Sequence, residues 1–247
     1  MKDYRISHTL ERVVEKYEHI VYQPGSYDDM VWRWEQGVLD QEIRRLQMNV
    51  PAVEYLDFGC GTGRIAAYVE SKVAHATGVD PAEAMVRIAR ERVRHTDLVV
   101  ADITQNDVFS GHVFDLITAF RIFLNSQPQL REEMMNVLVP KLRNGHSVFI
   151  FNIHGNLWSH RLFSKIWYTL CGRRLNTMTL REATRFINKH NLTIVRWYGF
   201  GILPKVVYRV LGSLWAYKID QFFSPIPGMR YISYDLVFVC KKSMVIK

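Results

Sequence analysis

Cysteine is scarce in this chain of 247 residues, and the three present (Cys60, Cys171, Cys240) show no C-x-x-C spacing. An odd number without paired spacing argues against a disulfide framework or a cysteine-built zinc site and fits a reducing compartment. No uninterrupted apolar run reaches the length that crosses a bilayer. The opening Met1-Lys-Asp-Tyr-Arg leads into charged sequence instead of the apolar core of a secretory signal. A cytoplasmic location is therefore expected, with peripheral contact at the inner face of a membrane as its variant. No cluster has metal-ligand spacing, and no repeat or low-complexity tract is present. Acids are scarce in one part only. Between residues 155 and 247, fifteen Lys/Arg stand against three acids (Glu182, Asp220, Asp235), a net +12, whereas residues 1–154 carry a net −4. Sixteen of the 31 aromatics lie in the same basic part. This asymmetry points to an anionic partner or membrane surface; the bland alternative is a solvated positive face.

What the chain does have is concentrated in Glu54-Tyr-Leu-Asp-Phe-Gly-Cys-Gly-Thr-Gly63. Val53 to Phe58 reads as a strand with an acid, Asp57, near its end. Gly59, Gly61 and Gly63 alternate after it, and a helix is expected from Arg64. A strand, a backbone-exposing loop and a helix start together suit a nucleoside-type cofactor. The glycines alone do not say which one, because Gly61-x-Gly63-x-x-Ala66 also matches the dinucleotide pattern. Asp57 discriminates. A carboxylate there repels a pyrophosphate, whereas it favours an ammonium and a sulfonium. Cys60, between two glycines, reads as a small filler and not as a nucleophile.

Three further features follow. His75 to Val79 reads as a second strand ended by Asp80, an acid placed to accept both ribose hydroxyls. A helix opening after Pro81 carries Met85, which is expected against the adenine. Leu98 to Ala101 reads as a short strand followed by Asp102 and Ile103, with a turn or helix-cap aspartate as the plain alternative. Phe114 to Phe120 reads as the fourth strand, followed by a helix (129–142), a turn at Asn144-Gly145 and a fifth strand (147–153).

The acid-x-Gly-x-Gly-x-Gly order, with these features behind it, resembles the first motif of the class I S-adenosylmethionine-dependent methyltransferases. The resemblance covers residues 50–154, and more weakly the strand readings 192–197 and 236–241. It implies an α/β, doubly wound seven-stranded Rossmann-like sheet whose last strand is antiparallel. Here the fold would carry an N-terminal helical arm over residues 1–48, a methyltransferase domain over 49–247, and a helical insertion after the fifth strand. It implies S-adenosylmethionine as cofactor, held by Asp57, Gly59, Gly61, Gly63, Asp80, Met85, Asp102, Ile103 and Phe120. Asp102 would accept from the adenine amino group, and the fourth strand would end at Phe120 under the methionine part. The family's usual Pro-Gly-Gly turn is replaced here by Arg143-Asn144-Gly145-His146.

Methyl transfer from a sulfonium is an in-line displacement, so the protein mainly aligns nucleophile and methyl. His154 ends the fifth strand, where ligands of doubly wound sheets bind, and is the candidate general base. Its alternatives are substrate hydrogen bonding or capping of the next helix. Arg121 and Asn125 follow the fourth strand as candidate acceptor contacts, and Tyr27 is the aromatic of the arm expected to close over the cofactor. Leu157 to Cys171 and Leu203 to Tyr217 read as amphipathic stretches that are basic and Trp-bearing, suited either to a membrane interface or to packing on the sheet. A helix between them, up to Asn191, is expected to open after Thr177 or Thr179. The expected acceptor is small or lipid-linked, anionic (a phosphate-bearing glycolipid precursor or a sugar nucleotide), and methylated on oxygen. An RNA methyltransferase, a nicotinamide-dependent oxidoreductase and a cofactor-holding protein without turnover are the rival readings.

Overall fold

The computed structural model describes residues 24–243 apart from Pro225 and Pro227. Residues 1–23 of the expected helical arm lie outside them. The described part of the arm is one helix, α1 (Tyr27–Gln47), whose Ser26 side chain accepts from the Asp29 N–H, a standard N-cap. Then follow β1 (Glu54–Phe58), α2 (Arg64–Val69), β2 (His75–Asp80), α3 (Glu83–Arg92), β3 (Thr96–Val100), β4 (Leu116–Ala119), α4 (Pro128–Leu138) and β5 (Val148–His154). The basic part supplies α5 (Arg161–Leu170), α6 (Leu180–Lys189), β6 (Leu192–Phe200), α7 (Lys205–Leu211), α8 (Ser213–Phe223) and β7 (Asp235–Lys242).

The seven strands form one sheet in the order β3-β2-β1-β4-β5-β7-β6. β1 to β5 pair in parallel, and β7 enters antiparallel between β5 and β6. The central strands are apolar on both faces, as a covered parallel sheet requires. β4 is buried throughout, and only His154 of β5 is less than fully buried. One face packs Phe123, Phe149, Phe151 and Phe238 against α4 and α6; the other packs Leu39, Ile43, Tyr55 and Ile150 with α1.

Two expectations about the additions need correction. The helical material is not a single insertion after the fifth strand: α5 and α6 follow β5, whereas α7 and α8 lie between β6 and β7. The stretch read as one amphipathic helix from Leu203 is two, because Gly212 (φ +78°) breaks it. The helix expected after Thr177 or Thr179 opens after Thr179, which forms a capping box with Glu182.

A buried polar network fixes the arm to the sheet. Glu35 of α1 is fully buried, and its carboxyl accepts from the Asn152 side chain of β5 at 3.0 Å. The same amide donates to Asp235 of β7 at 3.2 Å, and Asn152 Oδ1 accepts from the Arg121 N–H at 2.6 Å. Arg121 and Arg64 bring guanidinium groups to within 3.8 and 3.5 Å of the Glu35 carboxyl. Burial first, and Glu35 beside it second, push the Asp235 carboxyl up to about 8. The folded protein then holds a proton that the unfolded chain has released above about pH 4. This group's contribution to stability is fullest below that pH and is lost as the pH rises to about 8. Denaturant melts across that window are expected to show a decline approaching about 1.4 kcal/mol per pH unit from this proton. Asp235→Asn should flatten it, and an unchanged slope would refute the assignment.

Candidate active site

The glycine loop between β1 and α2 owes its shape to backbone that side chains resist. Gly59, Gly61 and Gly63 have φ of +69°, +52° and +75°. A Cβ on Gly63 would lie 2.9 Å from the Ala89 Cβ, so α2 and α3 approach here only without one. A Cβ on Gly61 would meet nothing within 4 Å, and that open side faces a cavity. The cavity encloses about 1120 Å³ including its open mouth. It lies at the carboxyl ends of β1, β2, β3 and β4, where a doubly wound sheet binds ligands.

Of the residues nominated for a cofactor, Gly59, Gly61, Asp80, Met85, Asp102, Ile103 and Phe120 line this cavity. Asp80 accepts from the Gly61 N–H at 3.0 Å with one oxygen and from the Ala82 N–H at 2.8 Å with the other. Each oxygen keeps a second lone pair for a ligand hydroxyl. Burial raises the Asp80 pKa, against the pull of those two amides. Asp102 holds its own turn, accepting from the Thr104 N–H and hydroxyl at 3.0 and 2.6 Å, so the turn-aspartate reading and the cavity position coexist.

Asp57 and Gly63 do not line the cavity. The Asp57 carboxyl is buried behind the loop, where it accepts from the Thr118 hydroxyl at 2.9 Å and the Ala66 N–H at 3.1 Å. It therefore ties β1 to β4 and to the first turn of α2. Burial pushes its pKa up to about 6, with Thr118 and Arg64 opposing. Gly63 serves the packing just described. The Cys60 thiol, which does line the cavity, is pushed well up by burial and by Asp57 and Asp80, so it is no thiolate nucleophile.

The acceptor-side nominees separate. Arg121 lines the cavity in a left-handed conformation (φ +62°) that is rare for such a residue. Asn152 holds its N–H, and the Asn125 side chain donates to its carbonyl at 3.1 Å, so the strained backbone is pinned from both sides. Asn125 and His154 lie behind it, with Asn125 Nδ2 and His154 Nε2 3.5 Å apart. Burial, then Arg121 and Arg161, depress the His154 pKa to about 3, and its Nδ1 is a buried atom without a protein partner. Tyr27 is not at the cavity either. It packs edge-on against Tyr208 and Tyr234, 4.9 and 5.9 Å between centroids, and its ring wedges over Gly201.

Several residues of this region were not nominated. Asp28 bridges Arg121 (3.3 Å) and Lys205 at the start of α7 (2.8 Å). Arg161 lies over the Tyr234 ring at 5.4 Å, and His160 stacks on the same ring. Glu35 was legible in principle, since it shares the helical spacing of Val31, Val38 and Leu39 on the apolar face of α1.

Residues 56–141 match the family model described as a methyltransferase domain. Over these residues the chain carries a methyltransferase domain. The fold is shared with the magnesium protoporphyrin IX methyltransferase of Synechocystis PCC 6803, crystallised with S-adenosylhomocysteine. The TM-score is 0.61 at 14% identity, covering 94% of this chain and 99% of that one. It is shared equally with the N-methyltransferase NodS from Bradyrhizobium japonicum WM9 (TM-score 0.60, 15% identity, 94% and 95% covered). An S-adenosylmethionine-dependent methyltransferase from Archaeoglobus fulgidus is similar at TM-score 0.54 and 16% identity, covering 83% of this chain and 94% of that one. No curated protein matches the sequence.

The cavity of this methyltransferase domain fits S-adenosylmethionine. The loop exposes backbone at Gly61, the Asp80 oxygens can take two ribose hydroxyls, and Met85 and Ile103 offer apolar surface for a base. Among the described residues no group of His, Cys, Asp or Glu could hold a metal ion. Asp80→Ala is expected to weaken S-adenosylhomocysteine binding roughly 100-fold in calorimetric titration. Wild-type affinity should fall as the pH is lowered through the raised Asp80 pKa, because the protonated carboxyl loses acceptor capacity. NADH, the control ligand, should not bind.

Proposed function

We propose that this methyltransferase modifies an ionised oxygen of a small or lipid-linked anionic acceptor. The observation that carries this reading is the positive group beside the cofactor cavity. Arg121 lines the cavity, and Arg161 and Lys205 act with it on His154. Asp28 offsets them in part between Arg121 and Lys205, and Glu35 lies 3.8 Å from the Arg121 guanidinium, whereas no acid pairs with Arg161 among the described ion pairs. Such a field favours a carboxylate or phosphate over a neutral or cationic acceptor.

The cofactor supplies an electrophilic methyl group on a sulfonium. An acceptor oxygen that is already an anion needs no base. This agrees with His154, whose ring, held at about 3, does not retain a proton near neutral pH. We assign it the substrate hydrogen-bonding role among its alternatives. With Nε2 accepting from Asn125, Nδ1 carries the hydrogen, and because His154 lies behind Arg121 and not on the cavity wall, the bond to substrate needs an acceptor that extends past Arg121. Arg121 orients the anion, and Asn152 and Asn125 hold Arg121 in position.

The test is transfer of labelled methyl from S-adenosylmethionine to panels of small carboxylates, phosphates and lipid extracts. A carboxylate acceptor gives a methyl ester that releases labelled methanol in alkali. Arg161→Gln is expected to raise the acceptor KM roughly tenfold with little change in kcat. The rate should show no acidic limb near pH 6.5. Such a limb, abolished by His154→Asn, would reinstate His154 as a general base. Methylation confined to amines would sink the anionic-oxygen reading, and steeply salt-dependent RNA binding would favour the RNA alternative.

A further inference from the structure

Helix α5 is packed inside out. Its polar stripe faces the protein: Arg161 lies over Tyr234, and Lys165 donates to the Thr177 hydroxyl at 2.7 Å. No residue of α5 is buried. The apolar stripe faces away, with Phe163, Ile166, Trp167 and Leu170 exposed to 76, 52, 66 and 78%. These four stand at i, i+3, i+4 and i+7, one continuous side of the helix. An amphipathic helix on a globular protein turns such a side inward.

The same holds for α7 and α8. Their inward side consists of Tyr208, Ala216 and Asp220, with Tyr208 donating to the Asp220 carboxylate. Val206, Val210, Leu214 and Trp215 are exposed. Arg173 and Arg174 after α5, and Arg209 and Lys218 on α7 and α8, are exposed among these apolar residues. Acids do not balance them. Of the three acids after residue 154, Asp220 and Asp235 are fully buried, and Glu182 is engaged in the α6 capping box. Trp and Phe beside Lys and Arg, with no exposed acid on these helices, match the interfacial zone of an anionic bilayer. Among the described residues no helix is long and apolar enough to cross a membrane.

We propose that the exposed sides of α5, α7 and α8 form a docking surface for a negatively charged lipid bilayer, in which the apolar side chains enter the headgroup boundary. Charge selects this occupant over two others. A second copy would bring the same positive surface against this one. Residues 1–23 carry four Lys/Arg and four acids, so this segment supplies no net negative charge to complement it. The surface adjoins the active site. Arg121 of the cavity pairs with Asp28, and Asp28 pairs with Lys205, the first residue of α7. Docking would thus bring a lipid-linked acceptor near the cavity, a consequence that rests on the proposed function, whereas the docking itself does not.

Flotation of the full chain with vesicles tests it, using phosphatidylcholine alone and phosphatidylcholine mixed with phosphatidylglycerol. Binding is expected to the mixed vesicles only, to weaken as salt is added, and to shift tryptophan emission to the blue. The pair Phe163→Ser with Trp167→Ser should lower the apparent vesicle affinity roughly tenfold or more, as should Arg173→Glu with Arg174→Glu. Both pairs lie outside the cavity, so S-adenosylhomocysteine affinity and melting temperature should stay as in the wild type. The proposal is overturned if the full chain ignores anionic vesicles, or binds neutral ones equally well. It is also overturned if the paired variants keep wild-type vesicle affinity, or if sedimentation shows that they dissolve a dimer. Vesicle binding without S-adenosylhomocysteine binding would uphold the docking surface and refute the cofactor reading instead.

Discussion

A carboxyl group removed from water must be met by hydrogen bonds and opposite charge, and Glu35 imposes that demand at the centre of this molecule. Its partners come from four separate elements. Asn152 stands on β5, Arg64 on α2, Arg121 after β4, and Asp235 joins through Asn152 from β7. Apolar contact alone would let α1 slide or rotate against the sheet, whereas a directional network admits one register. Because Arg121 and Arg64 also line the cavity, the placement of the N-terminal helix and the shape of the cofactor site are one problem with one solution.

The site is built on strain that this network sustains. Arg121 occupies a backbone region that costs a residue with a Cβ on the order of 1 kcal/mol or more. Two asparagine side chains hold it there from opposite sides. Alanine at Asn152 would release the Arg121 amide and leave Glu35 and Asp235 facing each other without a common donor. The polar core therefore both supports the fold and aims a cation.

The cofactor half was legible because its constraints are local. Gly59, Gly61, Gly63 and Asp80 announce a loop and an acceptor through spacing alone, and the strands around them are short apolar runs bounded by turns. The field at Asp57 was misplaced for a local reason too. A sequence shows that an acid ends a strand, but not whether its oxygens turn toward a ligand or toward Thr118 and Ala66. The C-terminal half was less legible because its determinants are distant in sequence. Lys205 meets Asp28 across 177 residues, and Glu42 meets Arg196 across 154. Periodicity revealed two sides on the stretch containing α5 without saying which faces the core. That choice was made by Tyr234 and Thr177, which offer polar and aromatic partners where an aliphatic surface would have reversed the helix.

The position of β7 has a consequence for how the chain is assembled. β1 to β5 can pair with one another as soon as they exist, so the nucleotide-binding half is able to order during synthesis. Among the described strands β6 has no neighbour but β7, and β7 follows the other six in the chain. Until it threads between β5 and β6, the open edge of β5 and the whole basic, aromatic segment have nothing to close against. An emerging chain thus carries an adhesive half-sheet from the completion of β5 until β7 is made. Loss of β7 would leave the sheet in that state permanently, which makes this one strand the point where its two parts are joined.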